Sequence, residues 1–214
     1  MKNLLILSIL LVTGLSLNAQ QLFVEAYSGY HLTDYDAEAY SESVGYFPIG
    51  FKVAGGHEHV QIGLDYRQHL TNPEFELLNG AAKDDFKETY YGAFIRGNIS
   101  TLPAYRFGLI LSAGMGYYVP TAQSYLAESS TPVSTFEYDK KLGYNFYIGV
   151  SAPIYAQLHW ELGYQYNMYD RVNGPAGVPD YAGNYHAIHV GLSGNFVFGN
   201  TEKRCRRVII TRDR

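Results

Sequence analysis

The stretch Tyr155–Tyr169, YAQLHWELGYQYNMY, alternates with period two. Ala156, Leu158, Trp160, Leu162, Tyr164, Tyr166 and Met168 form one set, and Gln157, His159, Glu161, Gly163, Gln165 and Asn167 the other. Period two marks a β-strand, because successive side chains point to opposite faces. The run is longer than an ordinary strand of about 5–6 residues and reaches the roughly 9–11 that a tilted strand needs to cross a bilayer. Its apolar face ends in tyrosine at one side, as a strand meeting a membrane interface does. The open question is whether the polar face looks into a barrel lumen or out to water.

Hydropathy narrows the choice. The chain has 214 residues, 47% hydrophobic and 17% charged, with a mean hydropathy of -0.15. After the first twenty residues no run is apolar and long enough for a spanning helix. The 21 tyrosines and 22 glycines favour β-structure with tight turns and interfacial aromatics. Met1–Ala19 reads as a secretory signal peptide, with Lys2 as the charged region, Leu4–Leu15 as the apolar core and cleavage after Ala19. The single cysteine, Cys205, excludes an intrachain disulfide and any cysteine-based metal site. A barrel closed in lipid supplies rigidity instead, since every backbone donor is paired between strands.

Seven further stretches alternate in the same way: Phe23–His31, Tyr46–Ala54, His59–His69, Glu88–Asn98, Tyr105–Val119, Lys140–Ser151 and Asn184–Phe198. Pro48 cannot donate to a ladder, so a bulge or a late start is expected in the second. The connections alternate long and short. Leu32–Val44, Leu70–Lys87, Pro120–Asp139 and Asp170–Gly183 are long, whereas Gly55–Glu58, Ile99–Ala104 and Ala152–Ile154 are short. Eight antiparallel strands with both termini on the short-turn side is the plan of an all-β, up-and-down transmembrane barrel with short periplasmic turns and long extracellular loops. The expected domains are a signal peptide at 1–19, a barrel over 20–199 and a basic periplasmic tail over 200–214.

A soluble barrel of the lipocalin kind puts its apolar face inward. Here Gly63, Gly92, Gly108, Gly114, Gly116, Gly143, Gly149 and Gly163 all share the polar face. Small residues suit a crowded lumen of roughly eight strands. The bulky aromatics Phe51, Tyr66, Tyr91, Tyr117, Tyr144, Trp160, Tyr164, Tyr166, Phe196 and Phe198 share the apolar face and are expected to meet lipid. The signal peptide, the tyrosine-edged stripes and the last strand HVGLSGNFVF resemble the small outer-membrane β-barrels of the OmpA/OmpX type. The resemblance covers about Gln20–Phe198 and implies an outer-membrane location. Such families usually end on an aromatic residue of the last strand. Phe198 fits that part, but the chain continues through Gly199–Arg214.

The polar face carries Glu25, Lys52, Asp65, Arg67, Glu88, Arg96, Arg106, Lys141 and Glu161. Charges removed from water must be paired or hydrogen-bonded. They are expected to fill and rigidify the lumen, in a protein with a structural or surface-interaction role; a narrow ion or water path is the alternative. A third reading is a lipid A enzyme. The lipid A deacylase family places histidine and serine two apart on a lipid-facing strand. No His-x-Ser occurs here, and His31-Leu-Thr33 is the nearest spacing, so no catalytic residue is assigned. His57 and His59 lack a third metal ligand nearby, and His186 and His189 fall on opposite faces. There is no P-loop or dinucleotide fingerprint, so no cofactor is expected. The formal charge of -4 gives no reason to invoke nucleic acid. Expected partners are outer-membrane lipid and lipopolysaccharide, reached by acidic outer loops, with a surface or periplasmic protein as a further possibility. The tail Glu202–Arg214 carries six Lys or Arg residues, Lys203, Arg204, Arg206, Arg207, Arg212 and Arg214, suited to anionic headgroups or a periplasmic partner.

Overall fold

A computed structural model of the chain describes residues 21–33, 44–57, 59–69, 74–76, 82–102, 107–126, 134–155, 157–173 and 183–197. The expected signal peptide and basic tail, Arg106 and Phe198 lie outside them, as do Asp34, Asp36, Glu38 and Glu42 of the first long loop. The described strands are β1 Gln21–Thr33, β2 Val44–Tyr46, β3 Pro48–Gly56, β4 Val60–His69, β5 Glu74–Glu76, β6 Ala82–Leu102, β7 Phe107–Leu126, β8 Ser134–Glu137, β9 Lys141–Tyr155, β10 Leu158–Tyr169 and β11 Tyr185–Val197.

Eight of these close into an antiparallel barrel in the order β1, β3, β4, β6, β7, β9, β10, β11. Closure is made by β1 against β11 from Gln21 opposite Val197 to Thr33 opposite Tyr185. No barrel edge is left to face lipid with unpaired donors, which is what a bilayer demands. Following partners around the barrel from Met168 leads through Tyr144, Met115, Ala93, Leu64, Val53, Val24 and Gly194. Gly194 faces Leu158, so the path re-enters β10 ten residues lower, 168 − 158 = 10. That stagger over eight strands tilts them by about 40°.

The tilt converts sequence spacing into depth. Tyr117 and Phe107 both point outward on β7, ten residues apart (117 − 107). They are about 25 Å apart along the barrel axis, the height of a membrane barrel's apolar band. Near one end of the band, Tyr66, Tyr91 and Tyr117 are registered neighbours, with 5.8 Å between the rings of the last two. Tyr30, Tyr144 and Tyr166 complete that girdle by the same reckoning. Between the ends the outward residues include Leu64, Ile95, Leu111, Ile148 and Leu162, all exposed on the isolated molecule. A continuous belt of this kind is unstable against water and stable against acyl chains.

Strand lengths differ from the sequence expectation at the loops. The long polar connections Leu70–Lys87 and Pro120–Asp139 contain strand: β6 starts at Ala82, β7 runs to Leu126, and β5 and β8 flank them. Beyond the membrane neither face of a ribbon has to be apolar, so alternation disappears while pairing continues. Pro120 has no N–H to give, but its carbonyl accepts from Tyr138 N–H at 3.2 Å. Ala152–Ile154, expected as a turn, belongs to β9, and β10 begins at Leu158 rather than Tyr155. The missing donor of Pro153 is absorbed by a register shift between Leu158 and His159. β3 starts at Pro48, and β2 continues its register on β1 beyond a break at Phe47, so the strand is interrupted before the proline rather than starting late. The β3–β4 turn is closed by His57 N–H to Val60 O at 2.9 Å. It needs Gly56, whose φ is 157°, because a Cβ there would fall on the Val60 carbonyl.

Candidate functional site

The lumen is the most strongly constructed part of the molecule. Odd positions of β1, β4, β9, β10 and β11 and even positions of β3, β6 and β7 point inward. That parity delivers four acidic and three basic buried side chains into one narrow space: Glu25, Asp65, Glu88 and Glu161 with Lys52, Arg67 and Arg96. They sort into layers.

Toward the short turns, Arg96 makes a bidentate pair with Glu161, Nη1 to Oε2 at 2.9 Å and Nη2 to Oε1 at 2.7 Å. Ser193 Oγ donates to the same Oε1 at 2.5 Å. Glu25 accepts from Lys52 Nζ at 3.0 Å and lies 3.9 Å from Arg96 Nη1. The Arg96 guanidinium also covers the Phe23 ring at 4.2 Å. Two carboxylates and two cations therefore form one connected, mutually neutralising cluster.

The middle layer is aromatic. Tyr27 donates to Asp65 Oδ1 at 2.7 Å, and its ring lies under Lys52 Nζ at 4.3 Å. His189 stacks on Tyr27 at 4.8 Å and meets His31 through Nε2 atoms 3.1 Å apart. Toward the long loops, Arg67 Nη2 donates to Tyr185 Oη at 2.6 Å and to Asn167 Oδ1 at 3.2 Å. Tyr185 and Tyr169 each donate to Glu88 at 2.7 Å. Tyr185 thus relays between a cation and a carboxylate whose direct separation is 4.0 Å. The face of the Arg67 guanidinium lies over Tyr90 at 4.9 Å, a cation–π contact in a desolvated site.

The polar-face glycines have a geometric reason. A Cβ on Gly50 would enter the Tyr27 ring, and one on Gly149 or Gly163 would enter Tyr147. The tyrosine rings lie flat across neighbouring strands, and only a bare Cα leaves room for them.

Of the nine charges read from the sequence, seven fall into these layers. Lys141 points inward at the loop end, half-buried, outside the ion pairs found among the described residues. Asp65 is met by a tyrosine hydroxyl, a hydrogen bond of the kind a buried charge requires. The tyrosines Tyr118, Tyr169 and Tyr185 were missed as network members, although strand parity places them inside. The His31–His189 contact joins residues 158 apart and exists only through barrel closure. His31 is fully buried in the lumen. A lipid-facing base, as the deacylase spacing would need, is not what this side chain provides. His57 and His59 lie 5.7 Å apart ring to ring, and no group of three or more potential metal ligands occurs among the described residues. On the outer face, the expected aromatics among the described residues are exposed except Trp160 and Tyr166, which are half-buried. Trp160 stands opposite the buried Ala152.

No family model and no curated protein matches the chain. Solved structures do. Neisserial surface protein A (NspA) gives a TM-score of 0.62 at 16% identity, over 82% of this chain and 97% of its own. Ail, the attachment invasion locus protein of Yersinia pestis, solved with the heparin analogue sucrose octasulfate, gives 0.53 at 12% identity over 82% and 98%. OprG from Pseudomonas aeruginosa gives 0.52 at 14% identity over 84% and 97%. The chain has the fold of the small eight-stranded outer-membrane β-barrels.

Proposed function

We propose that the chain is a non-enzymatic outer-membrane protein whose barrel is a closed anchor and whose outward ribbon and loops make contacts at the cell surface. The observation that carries this reading is the β6–β7 ribbon. Beyond the girdle pair Tyr91–Tyr117 it stays paired for nine more residues, to Ala82 opposite Leu126. At about 2.5 Å of axial rise per tilted residue it stands on the order of 20 Å above the apolar band. β5 and β8 widen it to four strands. A protein needing only an anchor has no use for such a platform. The packed lumen supports the same reading, because ion pairs and tyrosine hydroxyls meet most of its buried charges and tyrosine rings fill the space between them. NspA and Ail are named for the surface and for attachment, which agrees with a role of this kind.

The proposal is tested by in-cell photocrosslinking from Thr135 on β8, an exposed position of the platform, together with single-channel recording. The expected outcome is an adduct from Thr135 with a surface molecule and no stable conductance in planar bilayers. Stable openings abolished by substitution of Arg67 or Glu161, with no adduct from Thr135, would replace this reading by that of a narrow channel.

A further inference from the structure

Among the described residues the outer wall carries a groove of about 500 Å³ across β6, β7, β9 and β10. Its walls are Ile95, Leu111, Phe146, Ile148, Tyr164 and Tyr166. The outward side chains of β6 and β7 are mostly large, and the groove lies over two small ones. Gly97 and Ala113 lie on adjacent strands, Gly97 opposite Leu111 and Ala113 opposite Ile95. A Cβ built on Gly97 meets nothing closer than 3.8 Å, so the space in front of it is open.

Depth identifies the leaflet. Tyr166 is at the girdle on the long-loop side. Leu111 is six residues down β7 from Tyr117 (117 − 111), about 15 Å into an apolar band of about 25 Å. The groove therefore runs from the interface to about the midplane on the side of the long loops, which face outward in such barrels.

Its upper rim is polar. Tyr164 and Tyr166 line the groove, and both engage His186 on the next strand. The Tyr164 hydroxyl is hydrogen-bonded to His186 Nδ1, and the Tyr166 ring is 4.9 Å from the imidazole. An exposed imidazole on a lipid-facing wall is costly unless something polar meets it. With Nδ1 held by tyrosine, Nε2 remains to meet a headgroup. At the top of β9, exposed Lys140 sits over the girdle ring of Tyr117 at 5.2 Å, a fixed positive charge above the groove. An apolar slot in the outer leaflet, with a cation and an imidazole at its mouth, is complementary to a lipid with a phosphorylated headgroup.

We infer that this groove is a seat for lipopolysaccharide: one acyl chain lies over Gly97 and Ala113, and the phosphorylated sugar headgroup is held by Lys140 and His186. This site is on the barrel wall and does not depend on what the extracellular platform contacts.

The test uses the full-length mature protein in mild detergent with equal concentrations of lipid A and a phosphatidylethanolamine of matched chain length, read by native mass spectrometry. Folding of each variant is checked first by its heat-dependent gel mobility. Wild type is expected to carry lipid A in preference to phosphatidylethanolamine. Filling the slot by Gly97→Leu or Ala113→Leu displaces a few methylenes of the chain and is expected to lower the lipid A adduct about tenfold. Lys140→Glu is expected to abolish the preference for lipid A. Should Ala113→Leu fail to fold, Gly97→Leu carries the test, since its site is open. Adducts unchanged by slot filling, or equal retention of the two lipids by wild type, would overturn the inference.

Discussion

Arg96→Met is expected to destabilise the barrel by about 3–5 kcal/mol, the cost of leaving a buried charge without its partner. Arg96 supplies both nitrogens that hold Glu161 and also lies near Glu25. Without it Glu161 keeps only the Ser193 hydroxyl among these contacts, in a space closed to solvent. The double variant Arg96→Met/Glu161→Gln removes both charges and is expected to recover more than half of the loss, since most of the penalty belongs to the orphaned carboxylate. Urea unfolding of the protein in lipid vesicles measures both. If the lumen were an aqueous pore, the pair would behave like a solvated one, worth about 0–1 kcal/mol. A loss that small for Arg96→Met would show that water, not protein, fills the interior.

The second large effect is on the other face. Leu162 points outward from β10 between Val150 and Val190, four residues below the girdle at Tyr166 (166 − 162). That places it near the midplane. Leu162→Arg is expected to cost about 2–4 kcal/mol in the same unfolding assay, whereas Leu142→Arg, above the girdle, should cost about 0–1 kcal/mol. The contrast matters more than either value. Equal losses at the two positions would mean that the outward face does not sense membrane depth.

These two experiments probe opposite faces of one alternation, and that alternation was legible in the chain. Within the bilayer each face has a fixed polarity, so the period-two pattern marks strand existence, parity and order directly. YAQLHWELGYQYNMY shows this in β10, where Glu161, Gln165 and Asn167 are buried inside and Leu162 and Tyr164 are exposed outside. Closure followed as well, because lipid tolerates no free edge. Outside the bilayer the constraint lapses, and the reading stopped where the constraint did. The β6–β7 ribbon above Tyr91 and Tyr117 lost its signal although its backbone pairing continues to Ala82 and Leu126. Pro120 and Pro153 looked like strand ends because only their missing donors are visible in sequence, not the acceptor at Pro120 or the register shift beside Pro153.

Pairing inside the lumen was legible in part only. Parity put the charges in a common space, and distance from the short turns set Glu25 level with Lys52, Arg96 and Arg106, with Asp65 and Glu161 deeper. It could not show that Glu161 takes both nitrogens of Arg96, or that Asp65 is satisfied by Tyr27. Those choices depend on side-chain reach across the barrel, set by a ten-residue stagger that emerges only once eight registers are known. The same holds for His31 and His189, and for the lipid-side groove, which depends on Gly97 and Ala113 falling diagonally across adjacent strands.

The apolar face is expected to meet acyl chains while the polar face is sealed from water. Trp160 reads it directly, because it is the chain's one tryptophan and lies on the outward parity of β10, two residues from Leu162. Its fluorescence in vesicles is measured with lipids brominated along the acyl chain and, separately, with acrylamide in the water. Brominated chains are expected to quench strongly, and acrylamide is expected to quench far less than it does in the urea-unfolded chain. Strong quenching by acrylamide with no effect of brominated lipid would place the apolar face away from the bilayer and contradict the account.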